Sequence, residues 1–126
     1  METTPLSKGR KITAWILVGL ISALLVMSAI MKLTVSLDSE MGKNLIKMGL
    51  GDSIRLIGVG ELLAAILFLI PKTSSLGVLL VSAHLGGAIA THMEHGEMYL
   101  GPSVILVLIW VGNYLRNPEM LASFRK

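Results

Sequence analysis

A chain of 126 residues is the length of one domain. It is 53% hydrophobic and only 15% charged, and its mean hydropathy of +0.74 lies above the usual soluble range. Cysteine is absent, which excludes disulfide scaffolds, thiolate zinc sites, Cys-ligated iron–sulfur clusters and a thiol nucleophile. The formal charge of +3 does not point to nucleic acid, because the basic residues cluster at the ends of apolar runs, where they act as topology signals and anionic-lipid contacts.

The apolar residues fall in four long runs, 12–31, 54–70, 76–90 and 98–115. A domain this small cannot surround four helices that are apolar on every face, so lipid must be the outer solvent. The expected fold is all-α, a four-helix transmembrane bundle forming a single membrane domain over 1–126. Its expected spans are about 13–33, 54–70, 75–92 and 98–115.

In chain order, Met1–Lys11 is polar and is expected to be disordered or to lie on the membrane surface. Its Lys8, Arg10 and Lys11 resemble a signal-peptide n-region, but the run that follows is longer than an ordinary h-region, so an uncleaved first span is expected. Trp15 takes an interfacial aromatic position. Lys32 closes this span, either snorkelling at the membrane edge or turned inward to pair with a carboxylate on another helix. The connection Thr34–Ser53 mixes both charge signs with Leu45, Ile46, Met48 and Leu50, a pattern compatible with a short interfacial helix.

The second span carries Glu61, about 10 Å into the helix at the standard rise. A carboxylate there must be neutralised or paired. Gly58, Glu61 and Ala65 share one helical face, which favours close helix contact and an inward acid. Pro71 and Lys72 stop the helix, and Thr73–Ser75 is a tight loop able to cap the next one. The third span holds His84 in a surface of small residues (Ser82, Ala83, Gly86, Gly87, Ala90, Thr91), the pattern of packed transmembrane helices. A polar centre built from Glu61, His84, Thr91 and His92, reached by Lys32, is expected.

The HMEHGE stretch at its end resembles half a metal site, since His92 and His95 are one helical turn apart. His92, Glu94 and His95 are too few convergent ligands, so no metal is assigned and a polar pocket rim is the preferred reading. The fourth span has Tyr99 and Trp110–Tyr114 toward its ends, tolerates Pro102 in its first turn and stops at Asn117-Pro118. Seven Lys and Arg on the side of the termini and second loop face four on the other side. This count favours a multi-pass protein of the cell membrane with both termini cytoplasmic.

The first span ending in Lys32, the stretch GVGELLAAILFLIPKTSSLG at 58–77, LGGAIATHMEHGE at 85–97, and Trp110 followed by LRNP at 115–118 together resemble the DoxX-like family of small four-helix membrane proteins. The resemblance covers roughly residues 11 to 118. It places Lys32, Glu61, Thr91, His92 and Trp110 on recurrent polar and aromatic positions of the family, without a catalytic role. It implies a non-catalytic subunit or accessory factor of a membrane redox system, of the quinone, thiosulfate or oxidative-stress kind. The lack of cysteine puts direct thiol handling in doubt. A small pocket for a quinone-like or lipidic ligand, lined by Lys32, Glu61, His84, Thr91, His92 and Trp110, is the leading expectation. A proton-coupled carrier or enzyme using Glu61 and His84 is the alternative, and a membrane-protein assembly partner or chaperone the third. Expected partners are the bilayer, other membrane or redox subunits and a second copy of the chain, with no nucleic acid.

Overall fold

In a computed structural model, residues 5–125 are described. Residues 1–4, part of the polar stretch expected to be disordered or surface-bound, lie outside them, as does residue 126. The rest of that stretch is more ordered than expected. The first helix, α1 (Lys8–Thr34), already starts at Lys8, where the Ser7 Oγ accepts a hydrogen bond from the Arg10 N–H at 3.1 Å.

The remaining elements are α2 (Glu40–Lys47), α3 (Ile54–Leu69), a 3-10 turn at Pro71–Thr73, α4 (Ser74–Glu94), α5 (Leu100–Arg116) and 3-10 turns over Pro118–Arg125. The chain is all-α, with no strand among the described residues. It has more helices than four, because α2 forms in the long connection and the tail coils into 3-10 turns. Two stretches, Lys8–Thr34 and Pro71–Glu94, are long and apolar enough to cross a membrane. At the standard rise α3 and α5, of 16 and 17 residues, reach only about 24–26 Å.

The four long helices close into a ring: α1 packs on α3 and α5, and α4 packs on the same two. The core is drawn from all four, with Val18, Ile21, Leu25, Ala64, Ala65, Phe68, Val78, Val81, Leu85 and Ile109 buried together. Along α1 the buried positions are Ala14, Val18, Ile21, Ser22, Leu25 and Ala29, one stripe at helical spacing. Large side chains on the same helix point outward instead, including Leu20 at 63% and Met27 at 67% exposure. Leu56, Leu79 and Val107 do the same on the other helices. Apolar bulk outside, with alanines such as Ala14, Ala29, Ala64 and Ala65 among the buried positions, suits helices packed in lipid, where close backbone approach aids association.

Close approach is sharpest at Gly77. A Cβ there would collide with the backbone N and Cα of Phe68, where α4 folds back on α3. Gly86 and Gly87 behave differently from the expectation of a packed small-residue surface: both are exposed, and a Cβ on either would meet nothing within 4 Å. The face of α4 used inside the chain is that of Gly77, Val78, Val81 and Leu85.

Helix ends are closed mainly by arginines reaching from neighbouring helices. Arg55, in the first turn of α3, donates to the Lys32 and Val35 carbonyls at the end of α1 (2.8 and 2.6 Å). Arg116 donates to the Phe68 and Leu69 carbonyls at the end of α3 (2.6 and 3.0 Å). Arg10 donates to the Tyr114 and Leu115 carbonyls at the end of α5 (3.2 and 3.0 Å). Each cation thereby meets both the orphan carbonyls and the negative end of a helix dipole. The Thr73–Ser75 loop does not cap α4 with a side chain. Thr73 Oγ1 donates backwards to the Leu67 carbonyl in the last turn of α3, and Ser74 Oγ to that of Pro71 in the 3-10 turn (2.8 and 3.0 Å).

Gly77→Ala is expected to lower stability by about 1–3 kcal/mol, since the added methyl meets backbone that cannot turn aside. Gly86→Ala is expected to be neutral or slightly stabilising. Thermal unfolding in one mild detergent checks both, and equal melting midpoints for the two variants would contradict the packing described.

Candidate functional site

Glu61 is the buried acid of the bundle, 3% exposed. Its position follows from Gly58 one turn earlier, where a Cβ would lie 3.1 Å from the Lys32 Cβ and 3.0 Å from Leu33. Without a side chain at 58, α1 comes close enough for Lys32 to reach across. The Lys32 Nζ donates to Glu61 Oε1 at 2.9 Å and to Ser28 Oγ at 2.5 Å. Ser28 Oγ donates to the same Oε1 at 3.1 Å. On the other side His84 Nε2 lies 2.9 Å from Glu61 Oε2.

Three helices, α1, α3 and α4, therefore meet on one carboxylate. Both oxygens are engaged, Oε1 by two donors and Oε2 by the imidazole. Contact with a carboxylate requires His84 to carry a proton on Nε2, which leaves Nδ1 as an acceptor when the ring is neutral and as a second donor when it is charged. Among the described residues Nδ1 has no protein partner, and the His84 side chain is 17% exposed. Lys32 is similarly accessible at 16%. The acid is thus sealed while its two basic partners, Lys32 and His84, reach the surface.

The other expected site residues lie elsewhere. Thr91 Oγ1 donates to the Gly87 carbonyl at 2.8 Å, and His92 Nδ1 sits 2.6 Å from the Ala88 carbonyl. Both side chains turn back onto their own helix, seven and eight residues beyond His84, which is more than about 10 Å along the axis. Neither Thr91 nor His92 joins the polar centre expected to include them. His95 Nδ1 likewise lies 2.9 Å from the Thr91 carbonyl. Among the described residues no three His, Cys, Asp or Glu side chains are grouped as metal ligands, so His92, Glu94 and His95 form no such set.

Trp110 Nε1 donates to Ser82 Oγ at 3.0 Å. This bond ties α5 to α4, on a different side of α4 from His84. Ser28 was not singled out from the sequence, and Ser82 was read only as one of a small-residue surface, because single hydroxyls are lost in apolar runs. The available signal for Ser28 is its place four residues before Lys32, on the same helical face.

Two surface grooves lie toward the other end of the bundle. One is lined by Lys11, Ile12, Trp15 and Ile16; the second, of about 260 Å3, by Leu6, Lys11, Ala14, Trp15, Pro71 and Arg116. Neither is lined by Glu61 or His84.

Removing the charge with Glu61→Gln leaves Lys32 without its counter-ion and is expected to cost about 3–5 kcal/mol. The paired replacement Lys32→Met with Glu61→Gln is expected to recover most of that loss, because it removes both charges together. A double-mutant cycle of unfolding in detergent measures the coupling, and additive single effects would show that the ion pair does not hold the helices.

A family model described as the DoxX-like family matches residues 16–112, more than three quarters of the chain. The matched stretch takes in Ser28, Lys32, Glu61, His84 and Trp110 and stops before Arg116. No match is found among curated proteins or solved structures.

Proposed function

Because the chain belongs to the DoxX-like family, we propose that this small membrane protein is a non-catalytic, multi-pass subunit or accessory factor of a membrane redox system. Its ligand in this reading is a quinone-like or lipidic molecule held at the edge of the Lys32–Glu61–His84 cluster. The observation that carries the reading is the pairing of a sealed carboxylate with two partly exposed partners. Glu61 orients the His84 ring through Nε2, and the open Nδ1 can meet a polar head group arriving from the apolar surface. The Lys32 ammonium, 16% exposed, supplies a hydrogen-bond donor for a ring carbonyl.

The competing assignment, a proton-coupled carrier built on Glu61 and His84, requires a carboxylate free to exchange its proton. Both oxygens of Glu61 are already engaged by Lys32, Ser28 and His84, which supports an orienting and bracing role instead. An assembly-partner role would place recognition on the Thr34–Ser53 connection and leave the cluster without a ligand.

The four long helices would each cross the bilayer, with both termini in the cytoplasm and α2 on the opposite face. The absence of native cysteine allows a direct topology test. Lys43→Cys is expected to react with a membrane-impermeant thiol reagent added outside intact cells, and Lys72→Cys only after permeabilisation. The reverse pattern would overturn the orientation.

For the ligand, protein purified in mild detergent is expected to carry quinone by mass spectrometry and to gain thermal stability with short-chain quinone analogues. His84→Phe is expected to abolish that gain. Absence of both quinone and stabilisation in the unaltered protein would sink the ligand assignment while leaving the family and the fold untouched.

A further inference from the structure

The two grooves by Lys11 and Trp15 share those residues, so they form one surface with two characters. The part lined by Ile12, Trp15 and Ile16 is apolar, and the part lined by Lys11 and Arg116 is cationic. Arg116 is positioned by the α3 carbonyls and by the Trp15 ring, whose centroid is 5.1 Å from its Cζ. Its Nε is buried without a hydrogen-bond partner. Among the described residues neither Lys11 nor Arg116 has a carboxylate within ion-pair distance.

The charge of this end is one-sided. Lys8, Arg10, Lys11, Lys72 and Arg116 gather there, with Glu119 the one acid among the described residues at that end. The other end mixes Lys43, Lys47 and Arg55 with Asp38, Glu40, Asp52, Glu94 and Glu97. Cations held beside an aromatic ring at the end of apolar helices draw a counter-ion from outside the chain, and the adjoining apolar track calls for that counter-ion to carry a hydrocarbon chain.

We propose that this bipartite groove is a binding site for one anionic phospholipid, with its phosphate between Lys11 and Arg116 and an acyl chain along Ile12, Trp15 and Ile16. The site is separate from the Glu61 cluster and stands or falls independently of the ligand proposed there. It fastens the junction where α1, α3 and α5 meet, because Arg116 already joins α3 to α5 and stacks on α1 through Trp15.

Native mass spectrometry of the protein in mild detergent, titrated with phosphatidylglycerol or phosphatidylcholine of identical chains, tests it. Phosphatidylglycerol is expected to bind about fivefold more tightly or better. Lys11→Glu, on an exposed side chain, is expected to weaken phosphatidylglycerol about tenfold with an unchanged melting midpoint, and Lys43→Glu at the opposite end to leave it unchanged. Equal affinity for the two lipids overturns the proposal. So does an equal loss in Lys43→Glu, which would mean diffuse attraction, and so does full displacement of the lipid by millimolar inorganic phosphate, which would mean a bare anion site.

Discussion

One carboxylate that cannot be left alone organises this molecule. Glu61 is 3% exposed, in surroundings where an unpaired charge is costly and an unpaired hydrogen-bonding group nearly as unwelcome. Its two oxygens are met by Lys32 and Ser28 from α1 and by His84 from α4. The helices carrying those groups are thereby held to α3 at one level and in one rotation. A nonpolar core alone does not impose this, because helices that are apolar all round can slide and rotate against one another at little cost.

The same logic recurs around the bundle. Lys32 to Glu61 joins α1 to α3, and Glu61 to His84 joins α3 to α4. Ser82 to Trp110 joins α4 to α5, and Arg10 to the Tyr114 and Leu115 carbonyls joins α5 to α1. Each of the four contacts in the ring thus carries at least one polar bond between helices. At the ends, Arg10, Arg55 and Arg116 satisfy carbonyls that a helix cannot satisfy for itself. In lipid, where water is not available to take up a missing bond, such cross-links specify the arrangement more than they add to its stability.

Position along the bundle also separates two kinds of chemistry. The Glu61 cluster is neutralised internally and offers the surface only the edges of Lys32 and His84. The groove at Lys11 and Arg116 has two cations without a carboxylate partner among the described residues and an adjoining apolar track. As proposed, the first orients a polar contact and the second holds an anion.

Much of this was readable from the residues. Long apolar runs cannot be solvated by water, so helices and a membrane followed. Glu61 within such a run had to find a partner, and Gly58 beside it marked a close approach. Pro71 and Asn117-Pro118 set helix ends because proline cannot continue the hydrogen-bond ladder. What the residues could not decide was which neighbour each polar group would choose. Lys32 could snorkel or pair, and it pairs because a glycine on α3 brings α1 near. Thr91 and His92 had the same polar credentials as His84 but fall beyond its level and bond back to their own helix. Gly86 and Gly87 look like contact residues, yet α4 turns a different face inward. Helix content and the need for partners are set by the local chemistry of each residue and are legible one segment at a time. Partner choice depends on the rotation and depth of helices relative to one another, and in helices apolar on every side no periodicity records that rotation, so only tertiary packing settles it.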